Sequence, residues 1–336
     1  MNIEYVGQYG TSGYAVAAKG NILYLSSQGH NVTFSPLMFD DSKIDKDSDI
    51  DKKVCSKIGQ LQYYDVQILH TLPNLWPLIK EKIKKSFTVK QIGYCTWENE
   101  NLPSHWIEQL NKVDEVWVPS QFNKTTFESC GVTVPIAVFP HIFMGQSLPQ
   151  RNTVQLLDHF ENIIPADKFT YYCIAEYTDR KGIDDLIECF NAVNDQYSET
   201  QLVLKLHDKN YSETNKIQIV NKILEKTKKL SQSVYVITNN LSISDITNIH
   251  AIGDCYVSLH KGEGFGLSLY DAFNYGKQII STKYGGPLDY LNEGENVKLI
   301  NYNKISEWVY PDLAHAINIM KFYFSSSKRF VDNVAS

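Results

Sequence analysis

The amino-acid sequence predicts an α/β protein with two consecutive domains, each built on a doubly wound parallel sheet. Short apolar runs typical of buried strands alternate with amphipathic helical runs in the first part of the chain. The alternation stops in the polar stretch 145–167, which we predict to be the linker between the domains, and then restarts. A length of 336 residues also favours about two domains. Because strands separated by helices form parallel sheets with crossover helices, both domains are expected to be Rossmann-like.

In the first half, strands alternate with glycine-rich loops and helices. The strand 2–6 leads through the loop 7–13 into a helix that is expected to end at Gly29, a residue favoured just after helix ends. Ser120 is expected to cap a helix over 121–132. The remaining predicted elements of this half are strands at 30–35, 63–70, 87–98 and 114–120 and a helix at 73–85.

In the second half, the same alternation predicts a second parallel sheet. The last predicted helix, 308–330, has Pro311 in its first turn, where proline is tolerated. The helix after the second-half loop at 178–183 is expected to be capped near Asp184. The other predicted elements are strands at 168–177, 201–208, 233–238, 254–260 and 278–282 and helices at 184–197, 214–230, 242–253 and 266–276.

The bulk composition is that of an ordinary globular protein. Hydrophobic residues make up 43% and charged residues 21%, and the net charge of −6 gives no indication of nucleic-acid binding. The N-terminal stretch predicts a strand rather than a signal peptide, and no apolar run is long enough to span a bilayer. The six cysteines are scattered, which favours free thiols in a reducing, cytoplasmic environment.

The polar stretch 40–57 contains Asp47-x-Asp49-x-Asp51, which raises the question of a metal site. A calcium loop beginning at Asp45 would need Gly at position six and Glu at position twelve, where the chain has Ile50 and Ser56. A metal-binding Asp-x-Asp would normally follow an apolar strand, and this one lies in a lysine-rich polar run. We therefore predict a solvated loop and no metal ligands.

Two loops that follow strands are candidates for phosphate binding. In GQYGTSGY the glycines fall at positions 7, 10 and 13, so the spacing does not match the dinucleotide fingerprint, and a nicotinamide cofactor is not expected. Gly10 and Gly13 could still present backbone amides to a phosphate at a helix N-terminus, or could simply form a tight turn. Arg180 and Lys181 follow a strand at the sheet edge where α/β proteins bind ligands, although such a pair also occurs in surface loops.

The most specific stretch is SLHKGEGFGLSLYDAFNYG, followed by STKYGGPLDYL. Gly262 and Gly264 would let the backbone approach a ligand closely, and the helix that begins near Gly266 would direct its N-terminal amides to the same place. Glu263 in the loop and Asp271 in the helix could contact a sugar and a ribose diol, or could be a capping acid and an exposed helix acid.

These motifs together resemble the retaining glycosyltransferases of family 4, which have the two-domain GT-B fold. The resemblance covers nearly the whole chain and depends most on EGFGL and on GG-P some twenty residues later. It implies an acceptor-binding domain at 1–150, a nucleotide-sugar domain at 165–310, and a C-terminal crossover helix at 311–336 that packs back on the first domain.

The resemblance also implies roles for matching residues. Glu263 would lie against the donor sugar, Lys181 would bind the donor diphosphate, and Asp271 would hold the ribose. The first-domain loop with Gly10 and Gly13 would close over the diphosphate. The remaining matches are Phe265, Gly266 and Leu267 at the phosphate and Asn239, less specifically, at the base.

Some positions depart from the family pattern. The second acid is Asp271, where the family has Glu. The position of the family's diphosphate-binding Arg is occupied by Glu176 in this chain, so Arg180 is expected to bind the diphosphate instead. The acceptor-side histidine of the family corresponds to His70 or is replaced by Glu98, and we favour Glu98.

The predicted activity is therefore hexosyl transfer from a UDP- or GDP-sugar to a glycan, lipid or small-molecule acceptor. The resemblance implies retention of configuration by a front-face mechanism that needs no metal and no cofactor. The alternative is a nucleotide-sugar-binding protein with impaired catalysis, because Glu176 and Asp271 depart from the family pattern. Membrane contact through the basic run 79–85 is not favoured, since Trp76, Ile79 and Ile83 share one face that is typical of a core-packing helix.

Overall fold

The chain folds into two compact units. The first comprises Met1–Met144 with two short segments, Glu263–Leu267 and Gly285–Asp289, and the second comprises Gly145–Gly262, Ser268–Tyr284 and Tyr290–Ser336. The computed structural model describes residues 1–37, 45, 48–59, 63–82, 89–207, 213–227 and 233–334, with the main chain alone at 80–82, 213 and 328–334.

The first unit contains a six-stranded parallel sheet in the order β2-β1-β3-β4-β5-β6. Its successive side chains point to opposite faces, so neighbouring residues of β1 enter different cores: Tyr5 packs in one hydrophobic cluster and Val6 in the other. Both faces are therefore covered, as parallel sheets require. The strands are β1 (Asn2–Gln8), β2 (Asn31–Leu37), β3 (Val66–His70), β4 (Lys90–Tyr94), β5 (Glu115–Val118) and β6 (Ile136–Val138), and the helices are α1 (Gly13–Ser27), α2 (Asp49–Cys55), α3 (Trp76–Lys82), α4 (Ser104–Leu110) and α5 (Gln121–Ser129).

The second unit contains another six-stranded parallel sheet, in the order β12-β11-β10-β7-β8-β9. The chain runs outward from β7 to β9 and then returns to β10 on the other side of β7, which makes the β7–β10 boundary the switch point of the sheet. The strands are β7 (Phe169–Glu176), β8 (Thr200–His207), β9 (Val234–Ile237), β10 (Cys255–Ser258), β11 (Gln278–Thr282) and β12 (Val297–Ile300), and the helices are α6 (Ile183–Asn194), α7 (Glu213–Lys226), α8 (Ile243–Ile252), α9 (Leu267–Asn274) and α10 (Leu313–Val334).

The predicted solvated loop at 40–57 is wrong for its second half, which forms α2. Ser48 caps this helix by accepting a hydrogen bond from the Asp51 amide, and acids occupy the first turn, where the helix dipole favours them. Asp51 is buried and pairs with the equally buried Lys19 of α1 at 2.6 Å. The charges that indicated solvent exposure thus join two helices, while Asp47 lies outside the described residues.

The end of the chain also differs from the prediction. Residues 308–311 are a strand and not the start of a helix: β13 (Tyr302–Ile305) and β14 (Trp308–Pro311) form an antiparallel hairpin in which Tyr302 pairs with Pro311. The helix α10 begins at Leu313 because Asp312 accepts a hydrogen bond from the His315 amide at 3.0 Å.

Helix α10 belongs to the second unit. Phe324 packs on Phe169 with ring centroids 5.7 Å apart, and the backbone oxygen of Met320 accepts a hydrogen bond from Tyr171 at 2.6 Å. These contacts attach the helix to β7. Its expected packing on the first domain stays a prediction.

The structure bears on two of the expectations from sequence: the state of the cysteines and membrane-spanning helices. All six cysteines are free thiols, and four of them are buried, as the scattered spacing predicted. Among the described residues, no helix combines the length and apolar character needed to cross a bilayer. A cytoplasmic location stays a prediction.

The segment 145–167, predicted as an interdomain linker, is packed into the second unit. Its Leu156 and Ile164 are buried in the core of that unit. Arg151 donates to the carbonyl oxygens of Ala166 and Lys168, both at 2.6 Å, and to Asp254 at 2.5 Å. The guanidinium thereby attaches the segment to the start of β7 and to the residue before β10.

Replacing Arg151 with Ala should lower the free energy of unfolding by about 2 kcal/mol, because several charge-assisted hydrogen bonds are lost together. Arg151→Lys keeps the charge and loses the planar fork, so its loss should be intermediate. Urea unfolding monitored by circular dichroism measures both. Unchanged stability in Arg151→Ala would contradict the role of Arg151 in attaching the segment to the sheet.

Candidate active site

The loops that follow β7 and β10 contact each other at the switch point of the second sheet. The Lys261 amide donates to the backbone oxygen of Arg180 at 2.7 Å, and the Arg180 guanidinium donates back to the backbone oxygen of Gly262 at 2.9 Å. The cation pair and the glycine-rich loop, which the sequence analysis treated as separate candidates, are therefore adjacent. Lys181 lies beside Arg180 in the short 3₁₀ turn Asp179–Lys181 and is half-buried.

The side chain of Lys261 holds these two loops together. Its Nζ lies 2.7 Å from Asp179 and 3.6 Å from Asp185, and 5.0 Å from the ring centroid of Tyr310. Burial alone would lower the lysine pKa, but the neighbouring carboxylates outweigh that effect and raise it. Lys261 was not predicted from the sequence, because nothing in the HKG triplet indicates acidic partners that are distant along the chain.

Gly182 allows the close packing of the two loops. Its φ of 61° lies in the left-handed region, and a Cβ at this position would overlap the backbone oxygen of Leu259. Gly182 is also the N-cap of α6, so the predicted cap near Asp184 is wrong, and the helix begins one residue earlier, at Ile183.

Protein packing requires the glycine that follows Glu263. A Cβ on Gly264 would overlap Thr96, and its carbonyl accepts a hydrogen bond from Ser120 at 2.7 Å. The Gly286 amide donates to the backbone oxygen of Glu263 at 2.9 Å. Close approach to another protein segment is thus a sufficient reason for Gly264, the predicted close approach to a ligand stays a prediction, and GG-P serves to position Glu263.

Glu263 lies in a cluster with two buried aromatic rings. The ring centroids of His141 and Phe265 are 4.8 Å apart. Burial lowers the pKa of His141 to about 3, although the nearby Glu263 carboxylate acts in the opposite direction. His141 is therefore neutral at physiological pH. The sequence analysis did not select His141, because it follows a strand without any motif.

The segment that follows Glu263 leads into α9. Gly266 has a φ of 84°, which turns the chain into the helix at Leu267. A Cβ on Gly13 would lie 3.7 Å from the Leu267 side chain, so the glycine loop before α1 reaches this segment. In that loop Gly10 has a φ of 133°, and Ser12 caps α1. The structure therefore brings the first-domain loop close to Leu267.

The other predicted site residues occupy distinct positions. Asp271 is half-buried on α9, and burial raises its pKa from 3.8 to about 7. Glu98 is half-buried, and its charge helps to raise the pKa of Tyr14, which burial raises most. Asn239 is exposed just after β9, the edge strand two positions from the switch point. Within the described ranges, no group of three or more His, Cys, Asp or Glu side chains is arranged to hold a metal ion.

Known proteins resemble part of this sequence, and solved structures share its fold. Residues 154–309 match the family described as "Glycosyl transferases group 1". A sucrose synthase from Melioribacter roseus is 27% identical over 150 residues, which is 43% of this chain but 17% of that protein. The chain thus matches only a small part of this curated relative.

Two solved structures resemble nearly the whole chain. The structure of Anabaena Alr3699/HepE in complex with UDP-glucose has a TM-score of 0.64 and 16% identity, and the superposition covers 98% of this chain and 91% of that one. Sucrose-phosphate synthase from Thermosynechococcus elongatus gives a TM-score of 0.65 at 13% identity, covering 97% and 90%. These likenesses, with the two parallel sheets, confirm the predicted fold: tandem Rossmann-like units of the GT-B type.

The raised pKa of Asp271 predicts a pH-dependent stability. Between about pH 4 and 7 the folded protein keeps a proton on Asp271 that the unfolded chain releases, so this group makes stability fall as pH rises through that window, with no further change above 7. Asp271→Asn removes the effect and should raise the melting temperature more at pH 8 than at pH 5.

Calorimetric melting of both proteins at the two pH values measures this difference. Asp195→Asn, which replaces an exposed aspartate at the end of α6, is the matched control and should show the same small shift at both pH values. An equal effect of Asp271→Asn at pH 5 and pH 8 would contradict a titrating Asp271.

Proposed function

We propose that this chain is a glycosyltransferase that moves a hexosyl group from a nucleoside-diphosphate sugar. The observation that carries the proposal is the contact between the Arg180–Lys181 turn and the glycine-rich loop at the switch point of the second sheet. Ligands of doubly wound proteins bind at this edge. The family match and the UDP-glucose bound by a structural neighbour support the same reading.

The donor diphosphate is bound by Lys181, Arg180 and the amides around Gly266. Arg180 replaces the arginine that the family has where this chain has Glu176. The hydrogen bond from Arg180 to the Gly262 carbonyl supports this role, because it holds the guanidinium at the loop before α9. Lysine and arginine together offset the diphosphate charge without a metal ion.

The hexose lies against Glu263. The GG-P segment supports this role because the Gly286 amide fixes the backbone of Glu263. The main chain of Phe265, Gly266 and Leu267 lies at the phosphate. The loop with Gly10 and Gly13 closes over the phosphate. The proximity of Gly13 and Leu267 supports the last assignment.

The reaction proceeds on one face of the sugar with retention of configuration. The bond from the anomeric carbon to the β-phosphate oxygen breaks, the acceptor oxygen bonds to the same face, and the departing diphosphate takes the acceptor proton. The protein contributes mainly electrostatic stabilisation: the two cations and the amides lower the energy of the charge that grows on the β-phosphate. Glu98 contacts the acceptor, which is a glycan, a lipid or a small molecule.

Asp271 holds the nucleotide ribose through its carboxylate, and Asn239 lies towards the base. The donor is a UDP-sugar or a GDP-sugar, and the UDP-glucose complex of the structural neighbour favours UDP. The chain is cytoplasmic in this proposal, and membrane contact is not favoured.

Lys181→Ala should lower turnover about 100- to 1,000-fold, the usual cost of removing one group that stabilises developing charge. Lys112→Ala is the control, since Lys112 is exposed just after α4 and pairs with Glu108 of that helix. Release of UDP from UDP-glucose is measured with and without a panel of saccharide acceptors. Near-normal turnover in Lys181→Ala would refute the role of Lys181.

The same experiment separates the enzyme from a binding protein that does not transfer. Glu176 and the weakly acidic Asp271 motivate this second candidate. Calorimetric binding of UDP-glucose by the wild-type chain, without any UDP release under all acceptor conditions, would favour it over the enzyme.

The affinity for UDP should rise between pH 6 and pH 8, because a carboxylate that accepts ribose hydrogen bonds must first lose its proton. The gain is at most about tenfold per pH unit below the pKa. Calorimetry with UDP and GDP measures it: both carry the same ribose, so both should show the pH effect, whichever base is preferred. Asp271→Asn should reduce the effect to the part that comes from ionisation of the nucleotide's own terminal phosphate, whose pKa is about 6. An unchanged pH dependence in this variant would exclude the ribose role.

A further inference from the structure

The N-terminus of α5 contacts two loop segments that are distant from it along the chain. Ser120, the N-cap of this helix, donates a hydrogen bond from its hydroxyl to the backbone oxygen of Gly264 at 2.7 Å. Gln121, the first residue of the helix, donates its amide to the Asp289 carboxylate at 2.6 Å. Both acceptors lie in the two short segments that complete the first unit. One helix end therefore contacts both the glycine-rich loop and the GG-P segment.

The Ser120 hydroxyl has a single fixed direction. Its oxygen accepts a hydrogen bond from the Asn123 amide at 3.2 Å, as expected of an N-cap. Its one proton goes to the Gly264 carbonyl, which can only accept. Ser120 is completely buried, so both bonds are shielded from bulk water. The same hydroxyl thus caps α5 and fixes the residue that follows Glu263.

Gly286 connects these contacts to Glu263. Its amide donates to the backbone oxygen of Glu263 at 2.9 Å. A Cβ at this position would overlap the backbone oxygen of Gly264 and would lie 2.9 Å from the Ser120 hydroxyl oxygen. The main chain of Glu263 is thus fixed at two successive carbonyls: the GG-P segment holds its own, and Ser120 holds the next one.

Asp289 orients the GG-P segment. It ends the 3₁₀ turn Gly286–Asp289, and its carboxylate lies at the N-terminus of α5, where the helix dipole favours a negative charge. Asp289 is exposed, and exposed charged contacts contribute little to global stability. We therefore expect this contact to set the position of the turn without being needed for folding.

We propose that Ser120 and Asp289 are positioning residues for sugar transfer, which hold the Glu263 backbone through Gly264 and Gly286. The role in transfer rests on the proposed function, in which Glu263 touches the hexose. Neither positioning residue needs to contact the donor itself. A misplacement of about 1 Å in a catalytic site can lower turnover about 100-fold, so contacts that fix this backbone affect the rate from a distance.

The chain offers a matched control for the loss of a helix cap. Ser48 caps α2 by accepting a hydrogen bond from the Asp51 amide at 3.2 Å, the same distance as that from Asn123 to Ser120. Among the described residues, the Ser48 hydroxyl makes no other hydrogen bond. Ser120→Ala therefore removes a cap and the bond to Gly264, whereas Ser48→Ala removes a cap alone. Circular dichroism at 25 °C checks that each variant is folded.

Asp289 is tested by a pair of variants. Asp289→Asn keeps an oxygen that can accept the hydrogen bond from the Gln121 amide, whereas Asp289→Ala removes it. Because Asp289 is exposed, both variants should fold with the melting temperature of the wild-type chain. This pair decides the proposal even if Ser120→Ala does not fold.

Hydrogen exchange of the ligand-free protein, measured by NMR, tests the positioning directly. The Gly286 amide is protected by its bond to Glu263, so its exchange rate reports whether the two segments stay together. Ser120→Ala and Asp289→Ala should speed exchange at Gly286 about tenfold. Asp289→Asn and Ser48→Ala should keep the wild-type rate. Equal exchange in the wild-type chain and in the Ser120→Ala and Asp289→Ala variants would overturn the positioning role and would leave the proposed activity untouched.

Turnover gives the functional readout. Release of UDP from UDP-glucose is measured at 25 °C with the saccharide panel, and kcat should fall about 10- to 100-fold in Ser120→Ala and Asp289→Ala. The affinity for UDP, measured by calorimetry, should fall much less, because UDP lacks the hexose that Glu263 contacts. Asp289→Asn should restore turnover, and Ser48→Ala should keep it, since a merely structural cap does not change kcat of the folded protein.

Unchanged kcat in Ser120→Ala and Asp289→Ala, or an equal loss in Ser48→Ala, would overturn the proposal. A loss in Asp289→Asn as large as that in Asp289→Ala would also contradict it, because the accepted hydrogen bond would then not be what matters. A wild-type chain that neither binds UDP nor releases it from UDP-glucose would refute the proposed function, and the exchange rate of Gly286 would alone decide the positioning role.

Discussion

The contact between the loop after β7 and the loop after β10 is the constraint on which the candidate site depends. The ammonium of Lys261 is held by Asp179 and Asp185, and the backbones of residue 180 and of residues 261–262 exchange hydrogen bonds. A buried charge is costly unless it is paired, so the lysine and its carboxylates maintain this arrangement. Lys181 lies in the turn that this contact holds, and Glu263 directly follows Gly262 in the chain.

Backbone segments also pack closely against other parts of the protein on both sides of this contact along the chain. Gly182 contacts the β10 loop where a side chain would not fit, and Gly264 does the same against Thr96. These two glycines therefore bring main-chain segments together.

Burial also sets the protonation states that the chemistry needs. The same low dielectric that keeps His70 and His141 neutral raises the pKa of Asp271 to about 7. A weakly acidic aspartate changes its affinity for hydroxyls near neutral pH. The proposed ribose contact thus depends on where the fold excludes water.

The sequence alone determined the fold class and most elements, because apolar periodicity depends only on which residues face a core, and strands separated by helices must form parallel sheets. It also selected the loops with Arg180 and Glu263, since glycines and charges after strands are local signals. Tertiary structure decided the rest. The helix at Asp49–Cys55, the packed segment after Gly145 and the partners of Lys261 depend on contacts with residues distant in sequence.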